Sequence, residues 1–181
     1  NLAFNYTGRK NFLSVLEVAD QNNENADHAG NGFWNDPDML LVGHDGLTLE
    51  EQKAHFALWC LMSAPLMLGN DPRNMDKEEK AILLNREALA IDQDPTEQGR
   101  KIIVRGDSEI WLKKLSNGDR AVVLLNRDPK GSATITLQWD DAGLKGRKLL
   151  RDVFEKRDLG RFKNSASFEL GPNSCKFLRI I

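Results

Sequence analysis

The densest group of chemistry-bearing side chains in this sequence lies in residues 32–40, which read Gly-Phe-Trp-Asn-Asp-Pro-Asp-Met-Leu. Carboxylates such as those of Asp36 and Asp38 accept paired hydrogen bonds from neighbouring hydroxyls, and an indole such as that of Trp34 packs on apolar C–H surface. Pro37 fixes the backbone between the two acids and lacks an amide, which excludes it from the interior of a strand. An aromatic ring, an amide and two acids in one glycine-containing loop are suited to holding a sugar.

The same loop also has a purely structural interpretation. An Asp-Pro-Asp sequence commonly forms an Asx-type turn, in which the carboxylates accept hydrogen bonds from nearby backbone amides. Residue types and spacing alone therefore leave a sugar site and a scaffolding turn equally open.

Other candidate sites in the sequence are weaker. His28, His44 and His55 are scattered, and no two of them have the spacing of a metal-binding helix motif. The sequence also contains no phosphate-cradling glycine loop and no nucleophile elbow. We therefore expect no metal and no cofactor. His55 shares a predicted helix with the apolar Trp59, and we expect it to be a hydrogen-bonded structural histidine.

Composition and charge describe a globular chain with two differently built halves. The 181 residues are 40% hydrophobic and 29% charged with a formal charge of −2, which supports a real core. Nucleic acid and membranes are not expected as partners, because the charge is near neutral and the apolar runs are short.

The two halves of the chain differ in charge: residues 1–95 carry a net −9 and residues 96–181 a net +7. This contrast indicates two units, although chance drift of surface charge would look the same. Cys60 and Cys175 are expected to be separate thiols.

Residues 1–95 alternate helical and strand patterns, which is the order typical of an α/β fold. Two of the predicted helices begin at capping boxes, Thr48 with Glu51 and Asp76 with Glu79. The second half of the helix after Thr48 is apolar on every side and should be deeply buried. The predicted elements are helices at about 8–20, 48–64 and 76–91, and a short buried strand at 66–68.

Residues 96–181 follow a different pattern, with short β-branched and apolar runs between turn signals. Asn117-Gly118 favours a hairpin turn between two of these runs. Trp111 alternates with apolar neighbours in a way that predicts core packing. About seven strands at this spacing fit a small antiparallel sandwich. The predicted strands are 101–104, 109–112, 121–125, 133–137, 147–152, 167–170 and 175–180.

The sequence between about Gly30 and Gly99 contains a series of ordered blocks. They are Trp-Asn-Asp-Pro-Asp-Met-Leu at 34–40, Val-Gly at 42–43, Gly-Leu-Thr at 46–48, His-Phe-Ala-Leu-Trp at 55–59, Ala-Pro-Leu at 64–66, Asn-Asp-Pro-Arg at 70–73, Ile-Leu-Leu-Asn at 82–85 and Ala-Ile-Asp-Gln-Asp-Pro at 90–95. Together these blocks resemble glycoside hydrolase family 27, the α-galactosidase (melibiase) family. The resemblance implies an α/β plus all-β architecture. Residues 1–95 would form the C-terminal part of a (β/α)8 TIM barrel, from helix 6 to helix 8, and residues 96–181 an antiparallel β-sandwich domain.

The resemblance also implies roles for the residues of the Asp-Pro-Asp loop. Asp38 and Met39 match family positions that line the galactose pocket, with Asp38 as the polar residue that contacts the sugar. Trp34, Asn35 and Asp36 would shape and support the loop. Loops that follow barrel strands carry the active site in this architecture, so the resemblance favours a site over a simple turn.

No residue of this chain is assigned as catalytic. Family members are retaining enzymes, whose reaction needs two carboxyl groups about 5 Å apart. Their nucleophile lies in a Lys-x-Asp context and their acid/base in an Arg-x-x-x-Asp context, and neither occurs here at the appropriate place. Lys156-Arg157-Asp158 has the letters of the first but falls in the predicted sandwich. We expect both catalytic aspartates to precede Asn1 in a longer polypeptide.

For the whole protein, the resemblance implies hydrolysis of terminal α-linked galactose from oligosaccharides or glycoconjugates, while this chain alone is expected to be inactive. N-acetylgalactosamine and arabinopyranose stay open as alternative sugars. A secreted, periplasmic or lysosomal location is implied by the resemblance alone. A different class of function, a non-catalytic β-sandwich that binds carbohydrate or acts structurally, also stays open. Exposed aromatic side chains on one sheet face would favour it.

A partial barrel has consequences for association. The strands next to Ala29 and residues 66–68 would have unpaired edges, and helix faces bearing Phe12, Leu16, Trp59 and Leu83 would be uncovered. Such surfaces promote association unless they are covered. We therefore expect the missing N-terminal part of the barrel as the natural partner, with a homo-oligomer as a further possibility.

Overall fold

A computed structural model of the chain describes residues 3–5 and 14–181, which are arranged in three layers. Helices cover one face of a six-stranded antiparallel sheet, and a two-stranded sheet covers the other face. The helices are α1 (Val15–Glu24), α2 (Leu49–Leu61), α3 (Lys77–Leu83) and α4 (Arg86–Asp92), with 3-10 turns at Ala26–His28, Pro72–Asn74 and Asp140–Ala142. The strands are β1 (Arg100–Arg105), β2 (Ser108–Lys114), β3 (Arg120–Asn126), β4 (Ala133–Gln138), β5 (Arg147–Asp152), β6 (Arg157–Lys163), β7 (Ser165–Leu170) and β8 (Ser174–Ile180).

Both predicted capping boxes are confirmed. The Thr48 hydroxyl accepts a hydrogen bond from the Glu51 amide, and the Glu51 carboxylate accepts one from the Thr48 amide. Asp76 and Glu79 make the same reciprocal pair at the start of α3. Among the described residues, no helix is long and apolar enough to cross a membrane.

The first helix begins later than predicted. Ser14 has an extended backbone, with φ −82° and ψ 167°, and its side chain accepts a hydrogen bond from the Glu17 amide. Ser14 is therefore the N-cap, and the helix runs over Val15–Glu24 instead of about 8–20. Phe12, which was expected on the buried face of this helix, lies outside the described residues.

The predicted helix at 76–91 is two helices, because Asn85 caps the second one. The Asn85 side-chain oxygen accepts hydrogen bonds from the amides of Glu87 and Ala88, at 3.0 and 3.2 Å. Its side-chain nitrogen donates to the Val153 carbonyl at 2.8 Å. The break between α3 and α4 is therefore also a link from the helical layer to the chain that follows β5.

The predicted buried strand at 66–68 is reduced to one parallel bridge, between Leu40 and Leu68. The Leu40 amide donates to the Met67 carbonyl at 2.7 Å, and the Gly69 amide donates to the Leu40 carbonyl at 2.9 Å. The direction is the one that consecutive βα units require. Met67 and Leu68 are exposed instead of buried, because no further strand among the described residues covers them.

The strand-rich half forms the predicted antiparallel sandwich. The larger sheet has the order β1-β2-β3-β8-β5-β6, and β4 pairs with β7 in the smaller one. The hairpin turn lies at the predicted place, with Gly118 in the left-handed region at φ 91°. Strand β6 was not predicted, because this edge strand is rich in charged residues and its sequence lacks a regular alternation of apolar and polar residues.

The helical layer and the sandwich share one hydrophobic core. Phe56 and Trp59 of α2 belong to the same buried cluster as Trp111, Val123 and Phe177 of the larger sheet. The predicted core packing of Trp111 is thus confirmed. The expectation that Leu16 and Trp59 would be uncovered is wrong, because α2 packs against α1, α4 and the sheet, and Leu83 is also partly buried against this core.

A buried ammonium group ties the sandwich to the ends of two helices. Lys113 of β2 is fully buried, and its Nζ donates to the Ser63 hydroxyl and to the carbonyls of Ile91 and Asp92. Burial lowers the pKa of Lys113 to about 8 and raises the pKa of Asp92 to about 6. This cluster fixes β2 against the C-terminal ends of α2 and α4.

Candidate functional site

A cavity of about 240 Å³ lies beside the Asp-Pro-Asp loop, at the end of the extended segment that leads to Leu40. It is bounded by the loop, by α1 and by α2. Its lining combines one carboxylate with two imidazoles, an indole and apolar groups, a mixture suited to a small polar ligand with an apolar face. The lining includes Val15, Asp38, Met39, His44, His55 and Trp59.

The two acids of the loop each accept one hydrogen bond from a backbone amide, and they differ in the cavity that they line. The Asp36 carboxylate accepts a hydrogen bond from the Asp38 amide at 2.9 Å, which is the contact that a scaffolding Asx turn makes. The Asp38 carboxylate accepts one from the Met39 amide at 2.7 Å through a single oxygen. The second oxygen of each carboxylate makes no hydrogen bond within the described part of the chain, but of the two acids only Asp38 lines the 240 Å³ cavity.

Asp38 also has an unusual backbone conformation. Its φ of 79° lies in the left-handed region, which few residues other than glycine adopt. Met39, the next residue, is half exposed and presents an apolar side chain at the mouth of the same cavity. The structure thus brings together the two residues for which sugar contact was predicted, one as an acceptor and one as an apolar surface.

Helix α2 holds this loop at two points. The Trp59 Nε1–H donates to the Asp38 carbonyl at 2.9 Å, and the Leu41 amide donates to His55 Nε2 at 3.0 Å. The two rings meet edge to face with centroids 4.0 Å apart. Burial lowers the pKa of His55 to about 3, so the ring is neutral and Nε2 can accept. The prediction of a hydrogen-bonded structural His55 is confirmed, whereas the role of Trp59 was missed.

Asn35 anchors the other end of the loop. Its side-chain nitrogen donates to the Asn25 carbonyl at 2.7 Å and to Gln98 Oε1 at 2.9 Å. Gln98 is buried and donates to the Asn22 carbonyl at 3.1 Å. Asn35 therefore makes contacts of the kind expected of a loop support, and Gln98, distant in sequence, is a partner that local patterns could not identify.

Trp34 faces a different part of the molecule. It is half-buried and lines a second cavity of about 300 Å³ together with Ser63, Pro65 and Asp92. It is not among the residues that line the cavity beside Asp38. The structure therefore does not place this indole against a ligand held by Asp38.

Among the described residues, Asp38 is the one carboxylate that lines the 240 Å³ cavity, whereas Asp36 and Asp38 together line a neighbouring cavity of about 350 Å³. Asp36 is engaged with its own loop, and Asp158 of the Lys-Arg-Asp sequence lies in β6, where it pairs with Arg151 at 2.9 Å. Across residues 3–5 and 14–181, no three His, Cys, Asp or Glu side chains are grouped to hold a metal ion. The cavity therefore offers one carboxylate acceptor beside apolar and aromatic groups.

The scaffolding contact of Asp36 leads to a first prediction. Replacing Asp36 with alanine is expected to lower the free energy of unfolding by about 1 kcal/mol, because the Asp38 amide loses its acceptor. Asp36→Asn keeps an oxygen in place and is expected to retain most of that stability. Thermal melting of the two variants measures the difference. Equal melting temperatures for Asp36→Ala and the unmodified protein would contradict the scaffolding role.

Comparison with known proteins gives consistent matches along the chain. Residues 5–94 match the family model described as alpha galactosidase A, and residues 105–180 match the alpha galactosidase C-terminal beta sandwich domain. The chain is 41% identical over 173 residues to alpha-galactosidase 2 of Arabidopsis thaliana, covering 94% of this chain and 43% of that protein.

Solved structures show the same similarity. The fold matches alpha-galactosidase I from Mortierella vinacea with a TM-score of 0.88 and 30% identity, over 93% of this chain and 44% of that one. It also matches a GH27 β-L-arabinopyranosidase from Geobacillus stearothermophilus, with a TM-score of 0.85 and 28% identity, over 92% of this chain and 41% of that one. The chain thus spans about two fifths of the length of these relatives.

Proposed function

Because the chain belongs to glycoside hydrolase family 27, the α-galactosidase or melibiase family, we propose that it forms part of a retaining glycosidase acting on terminal α-linked galactose. The predicted fold class holds: the helical half is the C-terminal part of the family's (β/α)8 barrel, and an antiparallel β-sandwich follows it. The substrates would be oligosaccharides or glycoconjugates. We place the division between the two domains at residues 95 and 96.

The observation that carries this proposal is the geometry of Asp38 and Met39. Asp38 presents one unengaged carboxylate oxygen, and Met39 adds an apolar surface at the mouth of the same cavity. A carboxylate accepts hydrogen bonds from sugar hydroxyls, and an apolar side chain packs on the C–H face of the ring. The residues of this chain would therefore bind and orient the galactosyl group.

The bond-breaking chemistry is assigned to residues outside this chain. A retaining glycosidase needs a nucleophilic carboxylate and an acid/base about 5 Å apart. We do not assign Asp36 and Asp38 to this pair, because neither stands in the sequence context of the family's nucleophile or acid/base, and only Asp38 lines the 240 Å³ cavity. We propose that the longer polypeptide supplies both groups and that galactose, N-acetylgalactosamine and arabinopyranose are distinguished by residues outside this chain.

If the rest of the barrel is supplied by a longer polypeptide, the surface of this chain that contacts it can also be identified. An apolar groove of about 410 Å³ borders the exposed edge beyond the Leu40–Leu68 bridge. We propose that the remaining strands and helices of the barrel cover it, since a closed barrel leaves no strand edge unpaired. The groove is lined in part by Leu40, Leu66, Leu68, Met75, Leu83 and Leu84.

A non-catalytic sandwich module is the less favoured function. It would need exposed aromatic side chains on a sheet face, but Trp111 and Trp139 are both buried. Trp111 packs in the core shared with α2, and Trp139 packs in the interior of the sandwich.

An activity assay tests the proposed function directly. The 181-residue polypeptide alone is expected not to hydrolyse nitrophenyl α-galactoside, whereas the longer polypeptide that contains it is expected to do so. If the purified 181-residue chain hydrolyses the substrate, and Asp38→Asn abolishes this turnover, the assignment of the catalytic pair to other residues is contradicted. Absence of turnover by the longer polypeptide would contradict the proposed reaction itself.

A further inference from the structure

We propose that Trp59 and His55 are positioning residues for sugar binding, because one face of α2 holds the loop in the turn that presents Asp38 to the cavity. This inference rests on the proposed function, in which Asp38 contacts the sugar. Neither side chain needs to touch the substrate to have this effect. Each acts through the backbone of the loop.

The geometry is that of a two-point clamp around Met39. Trp59 holds the carbonyl of Asp38, on one side of Met39, and His55 holds the amide of Leu41, on the other side. The two side chains are four residues apart on α2, so they lie one above the other on the same helix face. Their rings are in edge-to-face contact, which couples the two holding points.

The clamp acts on a backbone conformation that needs external support. Asp38 adopts φ 79°, and its two peptide groups are both held, its amide by Asp36 and its carbonyl by Trp59. The left-handed region is less favourable than the right-handed one even for aspartate, which tolerates it better than most side chains, so the bonds to both peptide groups stabilise this turn. Without the indole bond, we expect the Asp38–Met39 peptide to rotate and the carboxylate to leave the position facing the cavity.

The clamp itself is rigid. Trp59 is 1% exposed and His55 is fully buried, and the segment of α2 that carries them lies in the core shared with the large sheet. The His55 ring is neutral, since burial lowers its pKa to about 3, so Nε2 remains an acceptor across the ordinary pH range. The loop is thereby held by α2, which has the largest share of buried residues among the four described helices.

A Trp59→Phe substitution in the longer, active polypeptide tests this role. The change removes the Nε1–H donor and keeps an aromatic ring, and we expect kcat/KM for nitrophenyl α-galactoside to fall by roughly 10- to 100-fold, as for a small misplacement of a binding group. Trp111→Phe is the matched control. Trp111 is equally buried and donates its Nε1–H to Glu109, but it lies in the sheet and not at the loop. The Trp111→Phe variant should be less stable than the unmodified protein, but its kcat/KM should stay within about twofold of the unmodified value.

A double-mutant cycle separates positioning from general destabilisation. If Trp59 acts through Asp38, Trp59→Phe should lower kcat/KM by less than about threefold in an Asp38→Asn background. Full additivity of the two substitutions, or equal losses from Trp59→Phe and Trp111→Phe, would overturn the inference. Should the unmodified polypeptide show no turnover, the proposed function fails and the positioning role fails with it.

A second pair of variants decides the matter if Trp59→Phe does not fold. In the His55→Gln variant the side-chain oxygen can still accept a hydrogen bond from the Leu41 amide, whereas the leucine of His55→Leu has no acceptor. We expect His55→Gln to retain kcat/KM within about fivefold and His55→Leu to lose more than about tenfold. Equal kinetic losses in this pair would show that the hydrogen bond does not position the loop.

Discussion

Replacing Asp38 with asparagine in the longer polypeptide is expected to lower kcat/KM for an α-galactoside by roughly 30- to 1000-fold, or about 2–4 kcal/mol of transition-state stabilisation. Asparagine has the same shape and tolerates the left-handed conformation. It also keeps an oxygen for the Met39 amide. What it loses is the negative charge, and charge-assisted hydrogen bonds are roughly twice as strong as neutral ones.

The kinetic loss should be specific to Asp38. Its measurement is steady-state turnover of nitrophenyl α-galactoside together with thermal melting, with Asp36→Asn as the matched variant two residues away. We expect Asp36→Asn to retain most of the activity, because its oxygen can still accept the Asp38 amide. Equal kinetic losses accompanied by equal melting losses in the two variants would remove the distinction between binding and scaffolding carboxylates.

The second large effect is expected at Lys113, far from the loop. Lys113→Met should lower the free energy of unfolding by about 3 kcal/mol, because the Ser63 hydroxyl and the carbonyls of Ile91 and Asp92 lose their common donor. The buried Asp92 carboxylate also loses its neighbouring cation. Urea denaturation at pH 7 measures the loss. Lys114→Met, at an exposed position next along β2, should change stability by less than about 0.5 kcal/mol.

The Lys113 prediction includes a pH dependence with a definite sign. The pKa of Lys113 is lowered by burial from 10.5 to about 8, so between these pH values the unfolded chain holds a proton that the folded chain has released. Stability contributed by this group therefore rises as pH increases from 8 to 10.5. Lys113→Met should lack that rise. Identical pH slopes for Lys113→Met and the unmodified protein over this range would contradict the assignment.

Local features of the fold could be predicted from the sequence because their causes lie within a few residues. Thr48 and Glu51, three positions apart, satisfy each other's backbone donors, and the turn at Gly118 needs only a residue that tolerates positive φ. Features decided by distant contacts were missed. The helix break at Asn85 is stabilised partly by its hydrogen bond to Val153, and no pattern in residues 76–91 contains that partner.

The candidate site shows the same division. Residue types located the loop and identified Asp36 and Asp38 as its polar groups, but they could not say which of the two acids lines the cavity beside α1 and α2. That distinction depends on the left-handed turn at Asp38 and on Trp59, a residue 21 positions away that reads in the sequence as core. The orientation of Trp34 toward a separate cavity could not be predicted from the sequence either, because it depends on packing beside Ser63 and Asp92.

We propose that this chain supplies the sugar-contacting residues of a glycosidase whose catalytic carboxylates lie elsewhere in a longer polypeptide. A crystal structure of that polypeptide with bound galactose tests this assignment of roles. We predict that the free oxygen of Asp38 lies within about 3 Å of a galactose hydroxyl, with Met39 against the ring and two further carboxylates near the anomeric carbon. Galactose bound with the Asp38 carboxylate out of hydrogen-bond range, or with Asp36 and Asp38 flanking the anomeric carbon, would show that these roles are wrongly assigned.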